Sequence, residues 1–262
     1  MRQPSNWEII RPVLRLWGTF AVVHSLLASR PAKDAVRRLA GDRVRDGVYR
    51  TAFTTHSGFW ALWLLWRTWQ LPDRVLVQVP PPWAWLLRAG QLACVGVAFA
   101  TGLIIGIPQF NGWPQLAAFL RGQPPAPEPG AQGPPLDRDG ELRVAGPYRF
   151  TRHPANLALL LFLLFPKITV RGLTVGVIAA LYMVLGSIHE ETRLRARYGA
   201  AYARYQGRAP FLLPGLPSWA PPPAARRDAA PVATQAARAR EAQAEAAGHA
   251  LPDQDAAAPP TP

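Results

Sequence analysis

Two short polar segments hold most of the side chains able to do chemistry. The first, "YRFTRHP", supplies Tyr148, Arg149, Arg152, His153 and Pro154; the second, "HEE", supplies Glu190 and Glu191. Two guanidiniums, an imidazole and two carboxylates suit a ligand carrying both signs of charge. An arginine fork fits a carboxylate, and a carboxylate takes an ammonium or a pair of hydroxyls. Pro154 fits the first turn of a helix, where free N–H groups favour an anion. Tyr202 and Tyr205 follow the carboxylates at helical spacing. The chain has one cysteine, Cys94, inside an apolar run, so neither a disulfide framework nor a cysteine metal site is expected, and no metal is assigned.

These segments bracket an apolar stretch that must bring them together. After Pro154 only "ANLALLLFLLFP" precedes Pro166. Twelve helical residues cover about 18 Å, short of a hydrocarbon core of about 30 Å. "KITVRG" turns the chain, and "LTVGVIAALYMVLGSIH" (Leu173–His189) runs back. The expected element is a short helical hairpin with both polar clusters at one end. Charged groups at that depth are costly unless they face a cavity or a ligand.

Three further apolar runs lie upstream. Pro12–Ser29 contains Arg15 near one end and His24 deep inside; Thr51–Gln70 carries Trp60, Trp63, Trp66 and Trp69 every third residue; Ala84–Phe110 is rich in small residues suited to close helix contact. The expected fold is all-α: a polytopic helical membrane protein of about five transmembrane segments, the short hairpin included. A cytoplasmic C-terminal helix follows. Residues 1–216 form the membrane domain, with a Pro/Gly-rich loop insertion over 120–141. Residues 217–262, rich in Ala and Pro, read as a disordered tail.

The charge of +13 in 262 residues fits this topology. The cations sit in gaps between apolar runs: residues 30–50, the 109–154 connection and the stretch after 190. The 71–83 and 167–171 turns hold few. With an extracytoplasmic N-terminus, five segments leave all three basic regions in the cytoplasm. Residues 30–50, with seven basic and three acidic side chains, suit an amphipathic helix on the membrane surface. No basic–aromatic platform is present, so nucleic acid is not an expected partner.

A zwitterionic amphiphile would satisfy the charged set, and so would S-adenosyl-L-methionine, through its carboxylate, its ammonium and ribose, and its adenine. "GPYRFTRHPAN", the hairpin, and "EETRLRARYGAAYARYQGRAPFLLP" (Glu190–Pro214) together resemble the integral-membrane methyltransferases related to isoprenylcysteine carboxyl methyltransferase. Phospholipid N-methyltransferases share a looser version. Upstream, "HSLLASRPAKD", "VYRTAF", "LPDRVLVQVP" and "PQFNGWPQLAAFLRG" resemble a bacterial branch that includes methanethiol S-methyltransferases. A related branch, membrane proteins associated with nitrite and nitric-oxide reductase expression, shares the front half and is less clearly enzymatic.

The resemblance implies an enzyme of the bacterial inner (cytoplasmic) membrane, with its site on the cytoplasmic side. It implies S-adenosylmethionine held by Tyr148, Arg149, Arg152, His153, Pro154, Glu190, Glu191, Tyr202 and Tyr205. The acceptor would be a small thiol or a lipophilic molecule reaching the site through membrane lipid. His24 and His153 are the candidates for acceptor deprotonation. His24 lies beside Ser25, and His56 beside Ser57, each a polar group within an apolar run. The sequence departs from the family pattern at Asn156 and Ala158, where an aromatic and a glycine are common.

Overall fold

The computed structural model describes residues 3–128, 131 and 133–216. The tail expected over 217–262 lies outside them. The described chain is mostly helical, as its apolar runs require. Helix α1 (Asn6–Ala28) opens with a capping box, in which the Ser5 hydroxyl accepts from the Glu8 N–H and the Glu8 carboxylate accepts from the Ser5 N–H. Helix α2 (Arg30–Gly47) is bent at Gly41, whose φ of +82° is a conformation only glycine adopts cheaply. Helices α3 (Tyr49–Trp69) and α4 (Trp83–Ile105) follow, joined by a connection that contains strand β1 (Val75–Gln78).

Two short helices, α5 (Ile107–Asn111) and α6 (Trp113–Leu120), are set off by Gly106 and Gly112, at φ +91° and +75°. The segment expected as a loop then leads to a 3-10 turn over Gly146–Arg149. Glu128 ties this segment to the α2–α3 corner: its carboxylate lies 2.7 Å from Lys33 Nζ and 3.1 Å from an Arg50 terminal nitrogen. Helix α7 (Pro154–Phe162), strand β2 (Lys167–Thr169), helix α8 (Val170–Tyr198) and helix α9 (Ala200–Arg208) complete the order.

Helices α4 and α8, of 23 and 29 residues, are long and apolar enough to cross a membrane. Both present large apolar side chains outward: Leu92, Phe99 and Leu103 on α4, and Leu173, Val177, Leu181 and Leu185 on α8. Such a belt is what a lipid-facing surface needs and what a water-facing one avoids. Helix α1 packs on α8 and α3, with Ile9, Val13 and Leu64 buried and the Trp17 indole donating to Thr68 Oγ1 at 3.0 Å.

The hairpin differs in detail from expectation. Its first arm, α7, has only nine residues, about 14 Å of rise, and packs chiefly against α4. Its second arm does not stop at the carboxylates. Helix α8 runs unbroken through Glu190 and Glu191 to Tyr198, and Gly199, at φ +54°, makes the break before α9. The turns at the other end pair as a two-stranded antiparallel ribbon, with Val75 opposite Thr169 and Val77 opposite Ile168. The β-branched run "VLVQV" favours this, and Arg171 clamps it by pairing with Asp73 at 3.3 Å and donating to the Trp69 and Leu71 carbonyls. A compact core lies at the opposite end of α8, built from Leu142, Tyr148, Leu194, Ala201, Tyr202, Tyr205 and Ala209.

Candidate functional site

The break at Gly199 turns α9 back along the end of α8, so the chain leaving α9 runs beside the loop that enters α7. The Arg152 N–H donates to the Pro210 carbonyl at 3.0 Å, and the Thr151 hydroxyl to the Phe211 carbonyl at 3.2 Å. Tyr205 fixes the same loop from α9, its hydroxyl donating to the Tyr148 and Thr151 carbonyls at 2.7 and 3.2 Å.

Glu191 is the centre of the arrangement. Its Oε1 accepts from Arg152 Nε at 2.8 Å and from the Tyr202 hydroxyl at 2.8 Å, and lies 3.1 Å from His153 Nε2. Its Oε2 accepts from the Gln206 amide. The Arg152 and Glu191 side chains are both 0% exposed. Such a pair is tolerable only when its remaining donors are also met. They are: one Arg152 terminal nitrogen donates to the Gln206 and Ala209 carbonyls at 2.9 and 3.1 Å, and the guanidinium lies over the Phe211 ring. Arg152 and Glu191 therefore join α7, α8 and α9.

His153 lies between the two carboxylates. Nε2 faces Glu191, and Nδ1 is 3.4 Å from Glu190 Oε2. Burial by itself would lower the imidazole pKa, but hydrogen bonds to Glu190 and Glu191 and their charges outweigh it and hold it above the ordinary value. Both ring nitrogens face carboxylates, so the protonated ring donates at each and in that state serves as an anchor with no free lone pair.

Adjacent glutamates point about 100° apart on a helix, and the two have different surroundings. Glu191 is enclosed, whereas the Glu190 side chain is 33% exposed and lines a cavity of about 230 Å³. That cavity is also walled by Tyr148, Arg152, His153, Pro154, Asn156, Tyr202 and Tyr205. Burial, reinforced by nearby negative charge at Glu190 or Glu191, raises the pKa of the Tyr148, Tyr202 and Tyr205 phenols, so each stays a neutral hydroxyl. Asn156 donates to Ser187 Oγ at 2.7 Å, which locks its amide on the wall.

Of the residues expected at the site from sequence, the structure brings together Tyr148, Arg152, His153, Pro154, Glu190, Tyr202 and Tyr205 on the cavity, with Glu191 directly behind. Arg149 is exposed and outside the cavity lining. His24 also lies elsewhere, between α1, α3 and α8. Its Nδ1 is 3.1 Å from Ser57 Oγ, and its ring packs with Phe20, Phe53 and Tyr182. Ser25 pairs there with the Tyr182 hydroxyl at 3.1 Å. His56 meets the edge of Trp60.

Sequence reasoning missed the apolar wall: Thr101, Ile105, Phe110, Pro134 and Leu194. The paired glycines of "IGIPQFNGW" were the available signal for Phe110, since they mark a tight excursion of backbone. Gln206 had no signal; its role follows only from the return of α9.

The fold and site define a mostly helical protein with two helices able to cross a membrane and a buried Arg–His–Glu network beside a cavity. No family model and no solved structure matches the chain. Over 79 residues it is 33% identical to a methanethiol S-methyltransferase from Pseudomonas deceptionensis. The aligned stretch is 30% of this chain and 30% of that enzyme, so the chain spans under a third of its relative's length. The chain is thus distantly similar to a methyltransferase.

Proposed function

We propose that the protein is an integral-membrane, S-adenosylmethionine-dependent methyltransferase acting on a small thiol or a lipophilic acceptor. The observation that carries this reading is the charge layout of the cavity. Glu190, the carboxylate at its wall, stands beside Arg152 and His153 in a lining otherwise made of neutral phenols, an amide and apolar side chains. A ligand carrying both signs of charge and an apolar, planar end fits that layout. Glu190 would meet the cofactor's positive charge or its ribose hydroxyls, Tyr148 would offer a neutral hydroxyl, and Phe110, Ile105 and Leu194 would enclose the base. S-adenosylmethionine would supply an electrophilic methyl group on a sulfonium.

The chain's own contribution is placement. The Arg152–Glu191 pair fixes His153, His153 fixes Glu190, and the apolar wall excludes water. Alignment of this kind supplies much of the rate in a transfer that needs no metal. The acceptor would arrive at membrane level, in the bacterial inner membrane, with the cavity on the cytoplasmic side and about five segments in the bilayer. The distant similarity to methanethiol S-methyltransferase makes a small thiol the first acceptor to test.

A second reading is a non-catalytic membrane accessory protein. It is favoured by how fully Arg152 and Glu191 are spent on internal bonds. Binding separates the two. Full-length protein in nanodiscs should bind S-adenosylmethionine, and Glu190→Ala should weaken it by about 10–100-fold, the value of a charge-assisted contact. No binding at millimolar cofactor would end the enzyme reading. Labelled methyl groups recovered in extracted lipid instead of a volatile sulfide would assign a lipid acceptor.

A further inference from the structure

Of the sequence segments that resemble known methyltransferases, "VYRTAF" (Val48–Phe53) is unused by the site as described, and "PQFNGWPQLAAFLRG" (Pro108–Gly122) enters it only through Phe110. In the structure they meet. Helix α5 has five residues between two left-handed glycines, too short to hold a position by its own hydrogen bonds. The first turn of α3 holds it instead. Arg50 Nε donates to the Phe110 carbonyl at 2.7 Å, and the Thr51 and Thr54 hydroxyls donate to the Asn111 carbonyl at 3.0 and 3.4 Å. The Arg50 guanidinium also lies over the Phe110 ring, 5.8 Å from its centre, and a terminal nitrogen donates to Glu128 at 3.1 Å. Approach is so close that a Cβ on Gly112 would stand 2.9 Å from Arg50 Cβ.

Phe110 is the aromatic ring on the apolar wall of the cavity among the described lining residues that carries no hydroxyl and no imidazole. A flat ring in that wall suits stacking against a planar heterocycle. We propose that Arg50 is a positioning residue for the cavity: it sets Phe110 as the wall against which the base of an adenosyl ligand lies. This rests on the reading given under Proposed function. Arg50 does not touch the ligand; it acts through Phe110. Its fork supplies two separate bonds, one to the Phe110 backbone and one to Glu128, which a lysine ammonium cannot reproduce in the same geometry.

The test uses full-length protein in nanodiscs, with S-adenosylhomocysteine as the probe, and measures Kd and the thermal midpoint together. Arg50→Lys keeps the charge opposite Glu128 and should hold its midpoint near the wild-type value while weakening the probe about tenfold. Phe110→Leu should weaken it by a similar factor. The double variant should be no weaker than the weaker single variant to within about threefold, because both changes remove one function. Multiplicative losses in the double variant, or an unchanged Kd in Arg50→Lys, would overturn the inference while leaving the cofactor reading intact. A wild-type protein that binds no probe would overturn both.

Discussion

Replacing Glu191 with glutamine should unfold the protein far more readily than its small change in shape suggests. The amide keeps the volume and one acceptor oxygen but removes the charge. Four donors converge on that carboxylate: Arg152 Nε, His153 Nε2, the Tyr202 hydroxyl and the Gln206 amide. One of them is the Arg152 guanidinium, a cation whose side chain has no access to water. Removing one partner of such a pair costs about 3–5 kcal/mol, because the surviving charge stays buried and unpaired. At 1.4 kcal/mol per decade, the ratio of folded to unfolded protein should fall by about 10²–10³-fold or more. The assay is denaturant or thermal unfolding in one fixed detergent, with limited proteolysis as a second probe. Arg152→Met combined with Glu191→Leu should recover part of the loss, since neither charge is left alone, but not all, because His153 and Tyr202 lose their acceptor. A loss below about 1 kcal/mol in Glu191→Gln, the range of an exposed ion pair, would refute the argument.

The pH dependence has a definite sign. Since the native His153 pKa is raised, the stability it contributes is fully present below the ordinary imidazole value near 6.5 and is lost as pH rises through the native one. The unfolding midpoint should therefore decline from about pH 6.5 upward, and His153→Gln should flatten that decline in matched melts. Gly112→Ala should destabilise by at least about 1–2 kcal/mol, the cost of a left-handed non-glycine residue. The contact with Arg50 adds to that, and a midpoint unchanged from wild type would contradict the packing described for α5.

The site was legible where it depended on local order in the sequence. "YRFTRHP" and "HEE" abut the two arms of one hairpin, so any folding of that hairpin joins them, and the structure does so. Apolar length alone also marked α4 and α8. Other features were not written locally. Glu190 and Glu191 are neighbours of identical chemistry, and only the packing of α9 decides which is enclosed. Arg149 and Arg152 differ in the same way: the 3-10 turn leaves one in solvent and sends the other beneath Phe211. The ribbon of β1 and β2 escaped notice because three or four residues per strand carry little periodicity. Its pairing spans about ninety positions of sequence. Phe110 reaches the cavity through long-range bonds to α3, which no pattern within "QFNGW" encodes.

Helix α8 has a consequence for how the surroundings reach the site. From its Thr169 cap to Tyr198 it is a single rod of 29 residues, about 43 Å long, clamped by the ribbon at one end and carrying Glu190 and Glu191 near the other. With the chain embedded as proposed, the outward-facing leucines and valines in between would decide how deep that rod rests in lipid. The elevation of the cavity relative to the headgroups would then be set by bilayer thickness and not by the cavity's own residues, so that the lipid around the protein would adjust the height at which the proposed acceptor meets the site.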